Sequence, residues 1–108
     1  MTKVTLYWEE GTLRGVESQG HSDFADKGKD VVCAAVSSLL HVLLLGLSDV
    51  AKVEGVECEV NPEIPLIRIL WPRSSAGRLE LLTRTIALSL KEIETGSPEY
   101  VHITEVQL

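Results

Sequence analysis

The longest apolar stretch of the chain, residues 31–47, constrains the fold more than any other feature. Between positions 39 and 47, every residue except His41 and Gly46 is leucine or valine. This pattern predicts a helix that is apolar on nearly every side, whereas a helix packed on one sheet needs only an apolar stripe. Either the sheet and a second helix bury the surplus within the chain, or a second copy of the chain covers it. We favour the second arrangement, a homodimer.

Shorter segments on both sides of this helix alternate apolar and polar residues, which is the pattern of strands with one buried face. The predicted strands are residues 4–8, 13–18, 56–60, 66–71 and 100–106, and the predicted helices are residues 30–51 and 74–96. The order ββαββαβ favours an α+β fold, a two-layer sandwich with two helices packed on one face of a mostly antiparallel sheet. We expect one domain, residues 1–108, with the final strand at a sheet edge.

Composition and charge exclude several classes of function. The formal net charge is −6 and no basic stripe is visible, so we expect no direct contact with nucleic acid. A basic protein or peptide is compatible with this charge. No secretory signal is visible, and the 31–47 stretch, which contains Ser37, Ser38 and His41, is predicted to be too short and too polar for a membrane. Two cysteines in such a chain predict a cytoplasmic protein with free thiols.

His21 and Cys33 are the candidate catalytic residues. His21 lies in a polar loop predicted at residues 20–29, and Cys33 follows twelve positions later at the predicted start of the long helix. A helix N-terminus stabilises a thiolate because its unpaired N–H groups carry partial positive charge. A loop of this length can bring the imidazole within hydrogen-bond reach of the sulfur. Taken alone, each residue has an ordinary alternative, a buried cysteine and a solvated histidine.

Asp30 and Ser37 are expected to support Cys33, because positions 30, 33 and 37 share one helix face. Asp30 is predicted to cap the helix, which would place Cys33 in the first helical turn. The Ser37 hydroxyl either hydrogen-bonds the thiolate or the substrate, or returns to a helix carbonyl. The same N-terminal amides are expected to hold the oxyanion of an acyl-transfer reaction.

The other cysteine and histidines are assigned structural positions. Cys58 alternates with two valines and is predicted to lie in the core. His41 is about 12 Å from Cys33 along the helix axis. His102 is predicted on the solvent side of the last strand. No pair of cysteines or histidines has the spacing of metal ligands, so we expect no metal and no other cofactor.

The residues around Cys33 resemble the signature of the bacterial ribosomal-processing cysteine protease family. The resemblance rests on two segments, Gly20-His21 and Gly28-Lys29-Asp30-Val31-Val32-Cys33-Ala34-Ala35-Val36-Ser37. The element order, the length and the acidic character of the whole chain are also similar to that family. The resemblance implies a cytoplasmic, homodimeric endopeptidase that removes a short N-terminal extension from a large-subunit ribosomal protein. Cleavage would follow a hydrophobic stretch that contains an aromatic residue.

The resemblance also implies roles for individual residues. Cys33 corresponds to the nucleophile and His21 to the general base and acid, with Asp30 and Ser37 in supporting positions. The implied mobile segment that orders over bound peptide includes Gly20, Ser22 and Gly28.

Two other functions stay open at this point. The first is a non-catalytic, ribosome-associated module whose groove binds a peptide. The second is a thiol redox sensor, which would need an exposed second cysteine near Cys33. The predicted burial of Cys58 disfavours the sensor.

Overall fold

A computed structural model of the chain describes residues 1–20, 27–61, 63 and 66–108, with residues 27–30 described as backbone. The strands are β1 (Thr2–Glu9), β2 (Thr12–Gly20), β3 (Glu57–Asn61), β4 (Leu66–Leu70) and β5 (Val101–Gln107). The helices are α1 (Lys27–Leu45), α2 (Arg73–Ala76) and α3 (Glu80–Gly96). A π-helical turn, Gly46–Val50, extends α1, and a 3₁₀ turn, Gly77–Leu79, joins α2 to α3.

The five strands form one sheet in the order β3-β4-β2-β1-β5. β5 pairs with β1 in parallel, and the other three pairings are antiparallel. α1 and α3 pack side by side on one face of this sheet. The prediction of an α+β sandwich with a mostly antiparallel sheet and a final edge strand is therefore confirmed.

The core lies between the sheet and the two long helices. α1 and the turn after it contribute a stripe at helical spacing, with Val32, Val36, Leu40, Leu43 and Leu47 buried against the sheet. Val42 and Leu45 of the same helix are more than half exposed, so the sheet and α3 cover only part of its apolar surface.

α1 begins earlier than predicted. Its first helical residue is Lys27, whereas apolar periodicity placed the start at Asp30. The first turn of this helix consists of Lys27, Gly28, Lys29 and Asp30, which carry no apolar signal. The predicted cap at Asp30 is therefore wrong, and so are both bounds of the predicted 20–29 loop, because Gly20 ends β2.

The second predicted helix, residues 74–96, is interrupted. Arg73–Ala76 form a short helix after Pro72, and the chain then tightens into the 3₁₀ turn before α3 starts at Glu80. Gly77 in this turn is a weak helix former, which accounts for the break. The apolar face of α3 follows the expected spacing, with Ile86 and Leu90 fully buried.

Cys58 is exposed, so its predicted place in the core is wrong. Its register partner Ile69 is fully buried, and the two residues share the helix-facing side of the sheet. β3 is an edge strand, and its residues 57–60 are all exposed. Alternation therefore predicted the correct face, but that face is open to solvent at the sheet edge.

The helix that continues from Val31 to Val50 is longer than the 31–47 stretch seen in the sequence. Its mean hydropathy is 2.2, and by length and composition alone it could cross a membrane, contrary to the prediction that it is too short and polar. In this structure 28% of that segment is buried, as the stripe that it presents to the sheet.

Candidate active site

Cys33 lies in the second turn of α1, half-buried, where the helix passes the end of the sheet. Its Sγ atom is 2.9 Å from the Oγ1 atom of Thr2, at the start of β1. Thr2 is 4% exposed, so this contact is made on the buried side of the thiol. The nucleophile candidate is therefore attached to the sheet by one hydrogen bond.

The other side of Cys33 opens into a cavity of about 260 Å³. α1 and strands β1 to β4 contribute its walls, which consist of Thr2, Ser18, Gly20, Cys33, Ser37, Val60, Asn61, Leu66 and Ile67. β3 and β4 contribute the apolar residues Val60, Leu66 and Ile67, and the hydroxyl residues of the lining are Thr2, Ser18 and Ser37. A cavity with an apolar wall and a few polar groups suits a side chain of a bound peptide.

A wider groove of about 490 Å³ lies on the opposite face of the sheet. Its lining includes Tyr7 of β1, Leu70 of β4 and Glu57 of β3, of which Leu70 and Glu57 are register partners. The lining of this groove includes no cysteine and no histidine among the residues described. The chemistry is therefore assigned to the smaller cavity.

Ser37 and Gly20 lie where the sequence predicted, at the site of Cys33, because both line the same cavity. Asp30 precedes Cys33 by three residues in α1, so its backbone position is on the same helix face. Gly28 belongs to the first turn of α1. His21 and Ser22 lie outside the described residues.

The predicted use of the helix N-terminus for the thiolate and the oxyanion is not supported by the position of Cys33. Unpaired N–H groups belong to the first four residues of a helix, and the dipole effect falls off within the first turn. Cys33 is the seventh residue of α1, so its own N–H group lies within the regular helix.

The other two histidines lie away from the cavity. His41 is exposed on α1, two turns beyond Cys33. His102 is exposed on β5, as predicted, and its Nδ1 atom is 3.8 Å from Glu94. Among the residues that the structure describes, no three His, Cys, Asp or Glu side chains come together as metal ligands would.

Thr2 is the residue of the Cys33 cavity that sequence reasoning missed. It precedes Cys33 by 31 positions, and only the packing of α1 on β1 brings the two side chains together. No spacing rule links them. The one available signal was the alternation of β1, which places Thr2 on the same face as the buried residues Val4 and Leu6.

The sequence matches the family described as Cysteine protease Prp over residues 1–102. A curated relative, the ribosomal processing cysteine protease Prp of Mycoplasma genitalium, is 31% identical over 88 residues, which cover 82% of this chain and 84% of the relative. A crystal structure of a protein from Streptococcus mutans has a TM-score of 0.88 at 27% identity, with 100% of this chain and 96% of that chain covered.

A second crystal structure shows an essential ribosomal processing protease Prp from S. aureus in complex with a substrate peptide. It has a TM-score of 0.85 at 21% identity and covers 97% of this chain and 99% of its own. At this identity the likeness concerns the fold.

Together with the thiol that lines this cavity, these matches define the class of protein: the chain is a cysteine peptidase. The match over residues 1–102 goes further, and the chain belongs to the Cysteine protease Prp family.

Proposed function

We propose that this protein is an endopeptidase that removes a short N-terminal extension from a large-subunit ribosomal protein, with Cys33 as nucleophile and His21 as general base and acid. The observation that carries the proposal is the half-buried Cys33 thiol at a cavity with an apolar wall. The relative from Mycoplasma genitalium, a ribosomal processing cysteine protease, supports the choice of substrate. The proposal assigns the activity to residues 1–108 as one domain.

In the proposed reaction, His21 takes the proton of the Cys33 thiol and the thiolate attacks the scissile carbonyl carbon. A C–S bond forms, and the carbonyl oxygen becomes an oxyanion. When the C–N bond breaks, protonated His21 gives its proton to the leaving amine, and a thioester remains on Cys33. Water, deprotonated by His21, then attacks the thioester carbon and the C–S bond breaks. His21 returns its proton to the Cys33 sulfur, and the N-terminal fragment leaves as a carboxylic acid. A dyad suffices for these steps.

Ser37 is proposed to assist at the reacting carbonyl. Its hydroxyl lines the cavity one helical turn after Cys33, where it can donate to the substrate. Asp30, whose backbone lies on the same face of α1 as Cys33, is proposed to support His21. The segment from Gly20 to Gly28, which includes Ser22, is proposed to contact the bound peptide.

The apolar surface that remains on the helix layer supports a homodimer. Val42 of α1 and Leu88 of α3 are 52% and 60% exposed, and both line a groove of about 660 Å³ between the two helices. Leu45 and Leu81, on the same two helices, are also exposed. A second copy would cover this surface. A ribosomal substrate places the proposed activity in the cytoplasm.

The exposure of Cys58 removes the reason that disfavoured a redox sensor, since an exposed second thiol is present on the edge strand. The apolar lining beside Cys33 still favours peptide binding, because thiol oxidation needs no such wall. The alternative function that the experiment must exclude is a module that binds the peptide without cleaving it.

The test is cleavage of the ribosomal-protein precursor, or of a peptide that spans its extension, followed by mass spectrometry. Wild type and Cys58→Ala are expected to make one cut at equal rates. Cys33→Ala and His21→Ala are expected to cleave at least about 10⁴-fold more slowly. Acid-quenched wild type should carry the N-terminal fragment as a thioester on Cys33.

Two results would contradict the proposal. Cleavage by Cys33→Ala at the wild-type rate would exclude Cys33 as the nucleophile. A precursor that binds wild type and Cys33→Ala equally and is never cut would leave the binding module as the function.

A further inference from the structure

The only side-chain hydrogen bond that the structure gives Cys33, among the residues described, joins its Sγ atom to the Oγ1 atom of Thr2 at 2.9 Å. This distance is well inside the range for a hydrogen bond to sulfur. A threonine hydroxyl is both donor and acceptor, so it can partner the thiol as well as the thiolate. A bond to the ionised sulfur is the stronger of the two because it is charge-assisted. The contact therefore joins Thr2 directly to the atom that the proposed function makes the nucleophile.

Thr2 holds its hydroxyl in a fixed place. The residue lies between two neighbouring strands, with Gly20 of β2 as one register partner and Val101 of β5 as the other. Its N–H group donates to the Tyr100 carbonyl oxygen at 2.8 Å. A β-branched side chain has restricted rotation about χ1, so a fixed backbone also fixes the hydroxyl. The sulfur is thus held by a rigid group.

Gly20 leaves the space that this hydroxyl occupies. A Cβ atom at position 20 would lie 3.2 Å from the Thr2 Oγ1 atom and 3.3 Å from its Cα atom. Both distances are tighter than most side-chain contacts, and the Cα atom belongs to a paired strand that resists displacement. A side chain at Gly20 would push on the group that touches the thiol. Glycine at position 20 therefore leaves room for the Thr2 side chain beside the thiol.

We propose that Thr2 is a positioning residue for the nucleophile: its hydroxyl donates a hydrogen bond to the Cys33 sulfur, stabilises the thiolate and holds the sulfur towards the cavity. This inference rests on the proposed function, in which Cys33 attacks the peptide. Because α1 presents Cys33 beyond its first turn, the Thr2 hydroxyl supplies polarisation that the helix N-terminus does not. Thr2 acts through Cys33 and has no bond-making step of its own.

The test measures the rate of Cys33 alkylation by iodoacetamide as a function of pH, with peptide-level mass spectrometry to separate the two cysteines. Exposed Cys58 serves as the reference in the same molecule. Thr2→Val keeps the shape of the side chain and removes the hydroxyl. It is expected to raise the midpoint of the Cys33 pH curve by about one pH unit, which slows alkylation about tenfold at pH values below both midpoints. The Cys58 curve should not move.

Two matched variants separate this role from a structural one. Thr2→Ser retains a hydroxyl and should restore the midpoint to near the wild-type value. Thr5→Val changes the same kind of residue on the same strand but on the opposite sheet face, so it should leave the Cys33 curve unchanged. If Thr2→Val fails to fold, as judged by its thermal transition, Gly20→Ala displaces the hydroxyl without removing it and should raise the midpoint instead.

The outcomes also separate this inference from the proposed function. A Thr2→Val midpoint equal to that of wild type overturns the role of Thr2, even if Cys33→Ala abolishes cleavage. Cleavage that persists in Cys33→Ala overturns the proposed function, whereas the alkylation curves still report on the Thr2–Cys33 bond. When both proposals hold, the pH profile of kcat/KM for Thr2→Val shifts by the same amount as its alkylation curve.

Discussion

Arg68 of β4 donates two hydrogen bonds to one carboxylate oxygen of Glu17 on β2, from Nε at 3.0 Å and from Nη2 at 2.6 Å. The two residues are register partners on the sheet face opposite the helices. The hydrogen bonds to Glu17 are the main cause that raises the pKa of Arg68. The pair thus links two adjacent strands on the open face, and the opposite face of the same strands contributes Ser18 and Ile67 to the Cys33 cavity.

Glu17→Gln should lower the Tm because it replaces the ion pair with a weaker hydrogen bond from the Arg68 guanidinium to a neutral amide oxygen. The decrease should be small, since the Arg68 side chain is 41% exposed and solvent screens the interaction. It should shrink further in about 1 M salt, where the Debye length is about 3 Å. A double-mutant cycle with Arg68→Gln, read by thermal denaturation, checks this. Additive effects of the two changes would contradict a direct interaction.

Tyr7 should make the stability of the protein sensitive to alkaline pH. Burial raises the pKa of its phenol, and the negative charge of neighbouring Glu17 adds to this effect. A folded-state pKa above the ordinary value of 10.0 means that the stabilisation is fully present below pH 10 and is lost as the pH rises through the folded-state pKa. Urea unfolding of wild type and Tyr7→Phe between about pH 8 and pH 12 tests it. As the pH rises, the free energy of unfolding should fall more steeply for the wild type than for Tyr7→Phe. Parallel curves for the two proteins would refute the prediction.

Replacing Gly15 or Gly77 with alanine should change the free energy of unfolding in opposite directions. At Gly15 a Cβ atom would contact the Leu70 Cδ2 atom, which can turn away, and would lie 3.2 Å from the Ile69 carbonyl oxygen, which belongs to a paired strand, so Gly15→Ala should cost about 1 kcal/mol. At Gly77 a Cβ atom would meet nothing within 4 Å, and the helical turn there suits alanine, so Gly77→Ala should add about 0.4–1 kcal/mol. Urea denaturation of both variants gives the comparison. If both variants raise the free energy of unfolding, the residues around Gly15 adapt to the added methyl group and the prediction is wrong.

The proposed homodimer can be tested on its exposed apolar groove. Val42→Glu and Leu88→Glu place charge on its two walls in a chain whose net charge is already −6, so each should shift the protein towards monomer. Sedimentation velocity over a range of concentrations measures the change. Val50→Glu is the matched control, because Val50 is 81% exposed but does not line this groove. A Val50→Glu variant that dissociates as readily as the other two would place the interface elsewhere.

Local periodicity in the sequence predicted much of the fold and part of the site. Alternation at Val4 and Leu6 predicted the face of β1 that is buried, and helical spacing predicted the buried stripe of α3. Ser37 was placed beside Cys33 by counting four residues along a helix, and both side chains line one cavity. These predictions hold because periodicities of 2 and 3.6 residues follow from backbone geometry alone.

Tertiary structure decided what those periods do not encode. Cys58 has the alternation of a core residue, but it is exposed because its strand lies at the sheet edge. The first turn of α1, from Lys27 to Asp30, contains no apolar residue that periodicity could detect. The sequence therefore placed Cys33 one turn too close to the N-terminus of the helix. The bond between Thr2 and Cys33 depends on which strand the helix crosses. Edges, helix ends in polar sequence and contacts across 31 residues are set by how the layers pack, and no local pattern specifies that packing.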